Sequence, residues 1–166
     1  MISDEQRNDN PPKQGSKMPA LPAKQPSDRL QELVPSQSAG LTSAQKRAGL
    51  GKRGEAVAAA WLQQHGYAVL ARNWRCGRLE LDLVARIGNT LVVVEVKTRR
   101  ESGSDPPSRP EEAVSPSKQR KLGQAGAAFL TTQRDCLSLR FDVIAIRVRG
   151  DRCRLYHQQD AFFPGL

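Results

Sequence analysis

The sequence has few of the residues that build disulfide frameworks or transition-metal sites. Its three cysteines, Cys76, Cys136 and Cys153, are odd in number and lack Cys-x-x-Cys spacing, which argues against a disulfide framework and a zinc site. It has only two histidines, so a His-rich metal site is not expected. Aromatic residues make up 5% of the chain, too few for base stacking to be its main way of binding nucleic acid.

Targeting and membrane signals are also missing. Residues 1–5 form neither the basic segment nor the apolar core of a signal peptide. No apolar stretch approaches the length needed to span a bilayer. With the cysteine pattern, these absences predict a cytoplasmic protein with no membrane partner.

Charge and proline divide the chain into two parts. Residues 1–40 carry 6 of the 11 prolines and equal numbers of acidic and basic residues, and we expect this segment to be disordered. The formal net charge of +9 therefore belongs to residues 41–166, which we expect to form one domain. A basic domain favours a polyanionic partner such as nucleic acid, although charge alone also fits ribosome association or solubility.

A β-hairpin with charged ends is the most informative local pattern. Gly88-Asn89 is a favoured two-residue turn between apolar runs. With this loop, Asp82 lies directly opposite Glu95, and Glu80 directly opposite Lys97, all on one face.

The expected hairpin brings two carboxylates together. Opposed positions have Cβ atoms about 5 Å apart, where two carboxylates repel by roughly 3 kcal/mol at an effective dielectric near 20. A divalent cation would offset this repulsion, and Mg²⁺ is usually held by one or two carboxylates with water and phosphate. The alternative is an exposed sheet edge with a Glu80–Lys97 salt bridge.

Further elements follow from the periodicity. Helical spacing predicts a helix over residues 53–64 that ends at Gly66, and then three strands over residues 67–71, 79–86 and 91–98. A Pro-rich loop over residues 105–110 precedes a helix that opens with Ser115 as N-cap and Pro116. Strands over residues 139–148 and 152–157 follow. Asp142 interrupts the first of these, and we expect it to be a structural acid paired with an arginine.

The start of the second helix is unusually basic. Lys118, Arg120 and Lys121 crowd a helix end that is already positive, an arrangement that suits phosphate. Arg99 and Arg100 would extend this surface along a nucleic-acid backbone, and Gln119 would be a polar helper near the metal. A solvated basic helix start explains the same residues equally well.

Glu55 shares a helix face with apolar residues, including Ala58 and Leu62. A carboxylate on or beside a buried stripe needs a partner or a metal, although Glu in a first helical turn is also favourable without any function.

Asp82 and Glu95-Val96-Lys97 on successive strands, with Glu55 on a preceding helix, resemble the PD-(D/E)xK nuclease superfamily in the arrangement of archaeal-type Holliday junction resolvases. Six segments bear a closer resemblance to the bacterial YraN-like proteins, a family of unsettled function. They are Gly54-Glu55, Gly66-Tyr67, residues 71–75, 80–83 and 94–99, and Arg140-Phe141-Asp142-Val143. Leu81 stands where the superfamily pattern has proline.

The resemblance implies an α/β, restriction-endonuclease-like αβββαβ core with a central mixed sheet flanked by helices. It also implies that Glu55 binds metal. The expected activity is Mg²⁺- or Mn²⁺-dependent hydrolysis of phosphodiester bonds in DNA, with branched or repair intermediates as candidate substrates. Asp82, Glu95 and the Val96 carbonyl would hold the metal, Lys97 would orient water or neutralise charge, and Glu80 would position Lys97. Resolvase-like cleavage would require two sites and hence a homodimer.

Two other classes of function stay open from the sequence. One is a noncatalytic nucleic-acid-binding protein that keeps the fold and the basic surface. The other is a protein-interaction module in which the charged residues form a structural ion-pair cluster.

Overall fold

A computed structural model describes residues 29–32, 42–101 and 114–164. The elements, in chain order, are β1 (Arg29–Glu32), α1 (Ser43–Gln64), β2 (Ala68–Cys76), β3 (Leu79–Ile87), β4 (Thr90–Arg100), α2 (Pro116–Leu130), β5 (Ser138–Arg149) and β6 (Arg152–Gln158).

The strands form one mixed sheet in the order β1-β6-β5-β4-β3-β2. Only β4 and β5 are parallel, and α2 makes the crossover between them. The expected α/β class is confirmed, and the sheet is compatible with a restriction-endonuclease-like core. Among the described residues, no helix is both long and apolar enough to cross a membrane.

The sheet is buried on both faces. We call the cluster beneath the first helix the α1-side core, which contains Ala58, Ala59, Leu62, Leu83, Val92, Val94, Ile144, Ile146, Val148, Cys153 and Leu155. We call the cluster on the opposite face the α2-side core, which contains Leu81, Val84, Leu91, Val93, Leu122, Ala125, Phe129, Phe141 and Val143. Burial on both faces explains the continuous apolar run of β4, which does not alternate with polar residues.

The first helix is longer than the sequence pattern indicated, since it begins ten residues before Arg53. Thr42 is its N-cap and forms a reciprocal capping box with Gln45. Gly49 and Gly51, which lower helix propensity, obscured this first part in the periodicity. The expected end is confirmed, because Gly66 follows the helix with φ 82°.

The second helix begins as expected. The Ser115 side chain accepts a hydrogen bond from the Lys118 backbone N–H, and Pro116 is the first helical residue. The predicted loop over residues 105–110 lies outside the described residues.

The strand β1 was not expected from the sequence. It pairs antiparallel with β6, from Arg29 opposite Leu155 to Glu32 opposite Arg152. These four residues belong to the segment 1–40, for which disorder was expected, and the strand corrects that expectation at this point. Without it β6 would be an edge strand with unpaired backbone groups, which an extended segment satisfies. The rest of the segment lies outside the described residues.

Asp142 is a satisfied structural acid, as its position predicted. Arg140 donates to both of its carboxylate oxygens at 2.8 Å, and His157 Nε2 lies 2.8 Å from Oδ2. Burial favours the neutral acid, but the hydrogen bonds from His157 and Arg140 outweigh it and hold the pKa of Asp142 below its usual value. This buried network joins β5 to β6.

Candidate functional site

The β3–β4 hairpin has the predicted register, but its ladder ends before the acidic residues. Ile87 pairs with Thr90 and Leu83 with Val94, and the described pairing stops there. Asp82 is therefore not in a regular pair with Glu95, which corrects the expected direct opposition. Instead, the Asp82 carboxylate accepts a hydrogen bond from the Val96 backbone N–H at 2.9 Å. The side chain thus bridges two strands that have begun to separate.

The geometry of β3 is also irregular at Asp82 itself and in its pairing with β2. Leu81 belongs to the α2-side core and Leu83 to the α1-side core, although residues two apart in a regular strand share a face. On β2, the pairs on either side place Asn73 opposite Asp82, and Asn73 has φ 49°. Asn tolerates this left-handed conformation better than most residues. The break in alternation falls at Asp82, so the strict two-residue period from which one shared face was predicted for the four charged residues does not hold through this point.

Glu95 is held between two lysines. Its side chain is only 3% exposed, and Lys97 Nζ donates to Oε1 at 2.8 Å. Lys118 Nζ, from the first turn of α2, lies 3.3 Å from Oε2. That contact has ion-pair distance but not hydrogen-bond geometry, so Oε2 is a buried oxygen with no hydrogen-bond partner among the described residues.

Asp82 is the titratable residue most affected by this environment. Its pKa is raised to about 6, first by burial and then by the negative charge of Glu95. The Val96 N–H and the Lys118 ammonium oppose the rise, whereas Glu55 adds to it. The structure therefore brings Asp82, Glu95, Glu55 and Lys118 into one electrostatic neighbourhood.

Glu55 reaches this neighbourhood from α1. Its Oε2 accepts a hydrogen bond from Asn73 Nδ2 at 2.9 Å. The helix backbone lies so close to β4 that a Cβ at Gly54 would overlap the Thr98 hydroxyl. Gly54 thus permits the approach that places Glu55 beside the end of the hairpin.

A groove of about 430 Å³ adjoins Glu55. Its polar and charged lining residues are Lys52, Glu55, Arg72, Asn73 and Arg75. The groove stays electropositive although Arg75 is paired with Glu80, because Lys52 and Arg72 lie beside the single lining carboxylate of Glu55, and this charge suits an anionic ligand.

Glu80 does not position Lys97, which corrects another expectation. Its carboxylate pairs with Arg75 on β2 at 2.9 Å, and both side chains are well exposed. Lys97 instead contacts Glu95, two residues away on its own strand. The reason is the irregularity at Asp82, beyond which β3 pairs with β2 and not with β4.

The other predicted binding residues occupy different places. Gln119 donates to the Val114 carbonyl at 3.0 Å and so holds the chain that enters α2. The remaining predicted cations are exposed, namely Arg99, Arg100, Arg120 and Lys121.

Sequence reasoning missed Asn73 as the partner of Glu55 and missed the proximity of Lys118 to Glu95. Asn73 carried a weak signal, since it lies within a segment similar to the YraN-like proteins. The contact of Lys118 depends on how α2 docks on the sheet, and no local pattern encodes that.

Asp82 and Glu95 are the two carboxylates of the site that could hold a hard divalent cation. Glu95 supplies a buried oxygen that lacks a hydrogen bond among the described residues, and burial followed by the Glu95 charge raises the pKa of Asp82. Two carboxylates match the usual protein share of a Mg²⁺ site. Within residues 42–101 and 114–164, however, no group of three or more Asp, Glu, His or Cys side chains is arranged around a common metal position. Glu55 is therefore not placed as a third direct ligand.

The fold and site define an α/β protein with a restriction-endonuclease-like core and an acidic cluster, flanked by lysines, where two central strands separate. The chain belongs to the uncharacterised protein family UPF0102, whose model matches residues 54–146. This confirms the predicted YraN-like resemblance.

Similar proteins occur in distant bacteria, and each is named a UPF0102 protein. One from Geobacter sulfurreducens is 47% identical over 115 residues, which cover 68% of this chain and 88% of the relative. One from Syntrophus aciditrophicus is 43% identical over 113 residues, covering 68% and 87%. One from Bacteroides thetaiotaomicron is 41% identical over 117 residues, covering 70% and 94%.

Proposed function

We propose that this protein is a divalent-metal-dependent nuclease that hydrolyses phosphodiester bonds in DNA. The observation that carries the proposal is the juxtaposition of Asp82 with the buried Glu95, whose Oε2 lacks a hydrogen bond. An ordinary structural acid such as Asp142 has all its oxygens satisfied, and the contrast within one sheet marks the Asp82–Glu95 pair as different.

Each residue of the site has a role in this proposal. Asp82 and Glu95 would hold Mg²⁺ or Mn²⁺, which supplies activation of a water molecule and stabilisation of negative charge on phosphate. The Lys97 ammonium would donate to that water or to a phosphate oxygen. Glu55, held by Asn73, would accept hydrogen bonds from water at the edge of the site. The electropositive groove beside Glu55 would receive the DNA backbone.

A second candidate is a noncatalytic nucleic-acid-binding protein. Lys97 and Lys118 lie within 2.8 Å and 3.3 Å of the two Glu95 oxygens, so two ammonium groups already neutralise this carboxylate. A site with its own internal cations does not require a metal for its stability.

The deciding experiment incubates the protein with labelled branched, flapped, linear and single-stranded substrates, with Mn²⁺ or with chelator. We expect Mn²⁺-dependent cleavage by the wild type and none by Asp82→Asn. Melting temperatures supply an independent readout, because a metal at a hundredfold excess over its Kd stabilises the fold by about 2.7 kcal/mol. If Asp82→Asn responds to Mn²⁺ as the wild type does, the metal site is wrong. Salt-sensitive binding without cleavage would favour the noncatalytic protein.

A further inference from the structure

A second basic surface lies on the α2 side of the sheet, beyond the candidate site. Along β5, Ile144, Ile146 and Val148 enter the α1-side core, so the alternate residues Arg147 and Arg149 point to the opposite face. On β6, Cys153 and Leu155 enter the α1-side core, which places Arg152 and Arg154 on that same opposite face.

The strand register arranges these arginines in rows. Arg99 of β4 is in register with Arg147 of β5, which in turn lies opposite Arg154 of β6. Arg149 lies opposite Arg152 at the end of the hairpin. Neighbouring strands are about 4.8 Å apart, so the first row spans roughly 10 Å. We call these five residues the arginine face.

The described acidic residues compensate the charge of the arginine face only in part, since Glu32 of β1 is the one acid in register with these arginines, opposite Arg152. Glu101 is the acidic residue that lines a groove of about 350 Å³ together with four of the arginines. Arg99, Arg149, Arg152 and Arg154 are exposed, and among the described side chains Arg99, Arg149 and Arg154 have no ion-pair partner within 4 Å. Arg147 is less exposed and already takes part in another interaction, so the other four arginines are the ones available to a ligand.

Like charges directly opposite on neighbouring strands destabilise a sheet. The repulsion between Arg149 and Arg152 is therefore a cost that an external anion would remove. The ligand must be extended and multiply charged, because the guanidinium groups are spread over three strands. Arginine suits phosphate, since its planar group donates two parallel hydrogen bonds.

We infer that the arginine face binds the phosphate backbone of a nucleic acid and extends the binding surface from the candidate site to the β5–β6 hairpin. Arg99 follows Lys97 on the same face of β4, so the face continues directly from the site. Phosphates on one DNA strand recur about every 3.4 Å along the helix axis, so the first row matches two or three of them. The identity of the ligand as a nucleic acid rests on the proposed function. The inference does not require that the protein cleaves DNA.

The test measures binding of the full chain to a labelled DNA duplex in chelator, over a range of salt concentrations. In Arg149→Ala/Arg154→Ala we expect the slope of log Kd against log salt to fall by about two, at roughly 0.9 per lost phosphate contact. The lysine double variant, Arg149→Lys/Arg154→Lys, should keep most of the slope because it keeps the charge. The alanine variant should also melt no lower than the wild type, because it relieves cross-strand repulsion.

Arg134→Glu is the matched control. It changes the net charge by the same two units, but it lies near Leu137, whose N–H bonds to Asn89 at the opposite end of β4. We expect its salt slope to stay near that of the wild type. If the alanine double variant keeps the wild-type slope, or if Arg134→Glu lowers the slope equally, the arginine face is not the binding surface.

The outcome separates this inference from the proposed activity. Binding that depends on the arginine face without any Mn²⁺-dependent cleavage would support the surface and overturn the nuclease. Cleavage by the alanine double variant with wild-type binding would support the nuclease and overturn the surface. A wild type that shows no salt-sensitive binding to DNA would overturn both.

Discussion

Burial and the neighbouring carboxylate of Glu95 act in the same direction on the pKa of Asp82. Both favour its neutral form and raise its pKa to about 6, so the folded protein binds this proton more tightly than the unfolded chain does. The contribution of Asp82 to stability is therefore fully present below pH 4. It is lost as the pH rises through about 6.

A pH series of metal-free melting experiments would show this loss. Between about pH 4 and 6 the free energy of unfolding of the wild type should fall relative to that of Asp82→Asn, by at most about 3 kcal/mol. The comparison isolates Asp82, since the remaining carboxylates are common to both proteins. If the difference in the free energy of unfolding between the two proteins stays constant over this pH range, the pKa of Asp82 is not raised.

The sequence predicted which residues would come near one another at the candidate site better than it predicted their contacts. Asp82, Glu95 and Lys97 were found from the hairpin turn and strand periodicity, which are local properties. The contact of Glu80 was predicted wrongly, because the hairpin register was extended past the point where β3 leaves β4. Asn73 was missed since its role requires both the pairing of β2 with β3 and a left-handed backbone.

At the level of whole elements, α2 contributes to the site by presenting its N-terminal turn to β4. Ser115 and Pro116 define where the helix begins, and Lys118 then lies 3.3 Å from a buried Glu95 oxygen. Lys121 lies three residues further along the same helix and is exposed. Comparing substitutions of these two lysines therefore distinguishes the effect of the contact with Glu95 from the effect of losing one positive charge.

We expect Lys118→Ala in chelator to lower the free energy of unfolding by about 1–2 kcal/mol, because Glu95 loses one of its two cations. Lys121→Ala should change it by no more than about 0.5 kcal/mol. Saturating Mn²⁺ should reduce the difference in the free energy of unfolding between Lys118→Ala and the wild type, since a metal at Glu95 replaces the missing charge. Urea denaturation measures both effects. Equal stability of the two variants in chelator would show that the Lys118–Glu95 ion pair contributes nothing.

The elements themselves were largely predictable, and the exceptions are the start of α1, the end of β2 and the whole of β1. Strands β3 to β6 and helix α2 lie close to their predicted positions because apolar periodicity and caps are encoded locally. The first part of α1 contains Gly49 and Gly51, so its helical character depends on the Thr42 capping box and on packing of Leu50 in the α1-side core. Strand β1 exists only through pairing with β6, an interaction that spans more than a hundred residues.

On the scale of the whole molecule, charge and topology are linked. Residues 41–166 carry the net positive charge, and the sheet order concentrates part of it in the arginine face. The strand β1 covers the outer edge of β6, which carries Arg152 and Arg154. The N-terminal segment therefore contributes to the sheet next to this surface, although its own charges cancel.

Two truncations would measure the contribution of β1. A chain that begins at residue 29 keeps the strand, whereas one that begins at residue 41 exposes the backbone edge of β6. We expect the first to melt close to the full-length protein. The second should lose about 1–2 kcal/mol, because the ordering of four residues offsets much of the gain from their backbone hydrogen bonds. Its salt slope for DNA should remain unchanged, since all five arginines remain.

Equal melting temperatures for the two truncations would show that β1 adds nothing to stability. A lower slope in the second alone would mean instead that β1 supports the arginine face.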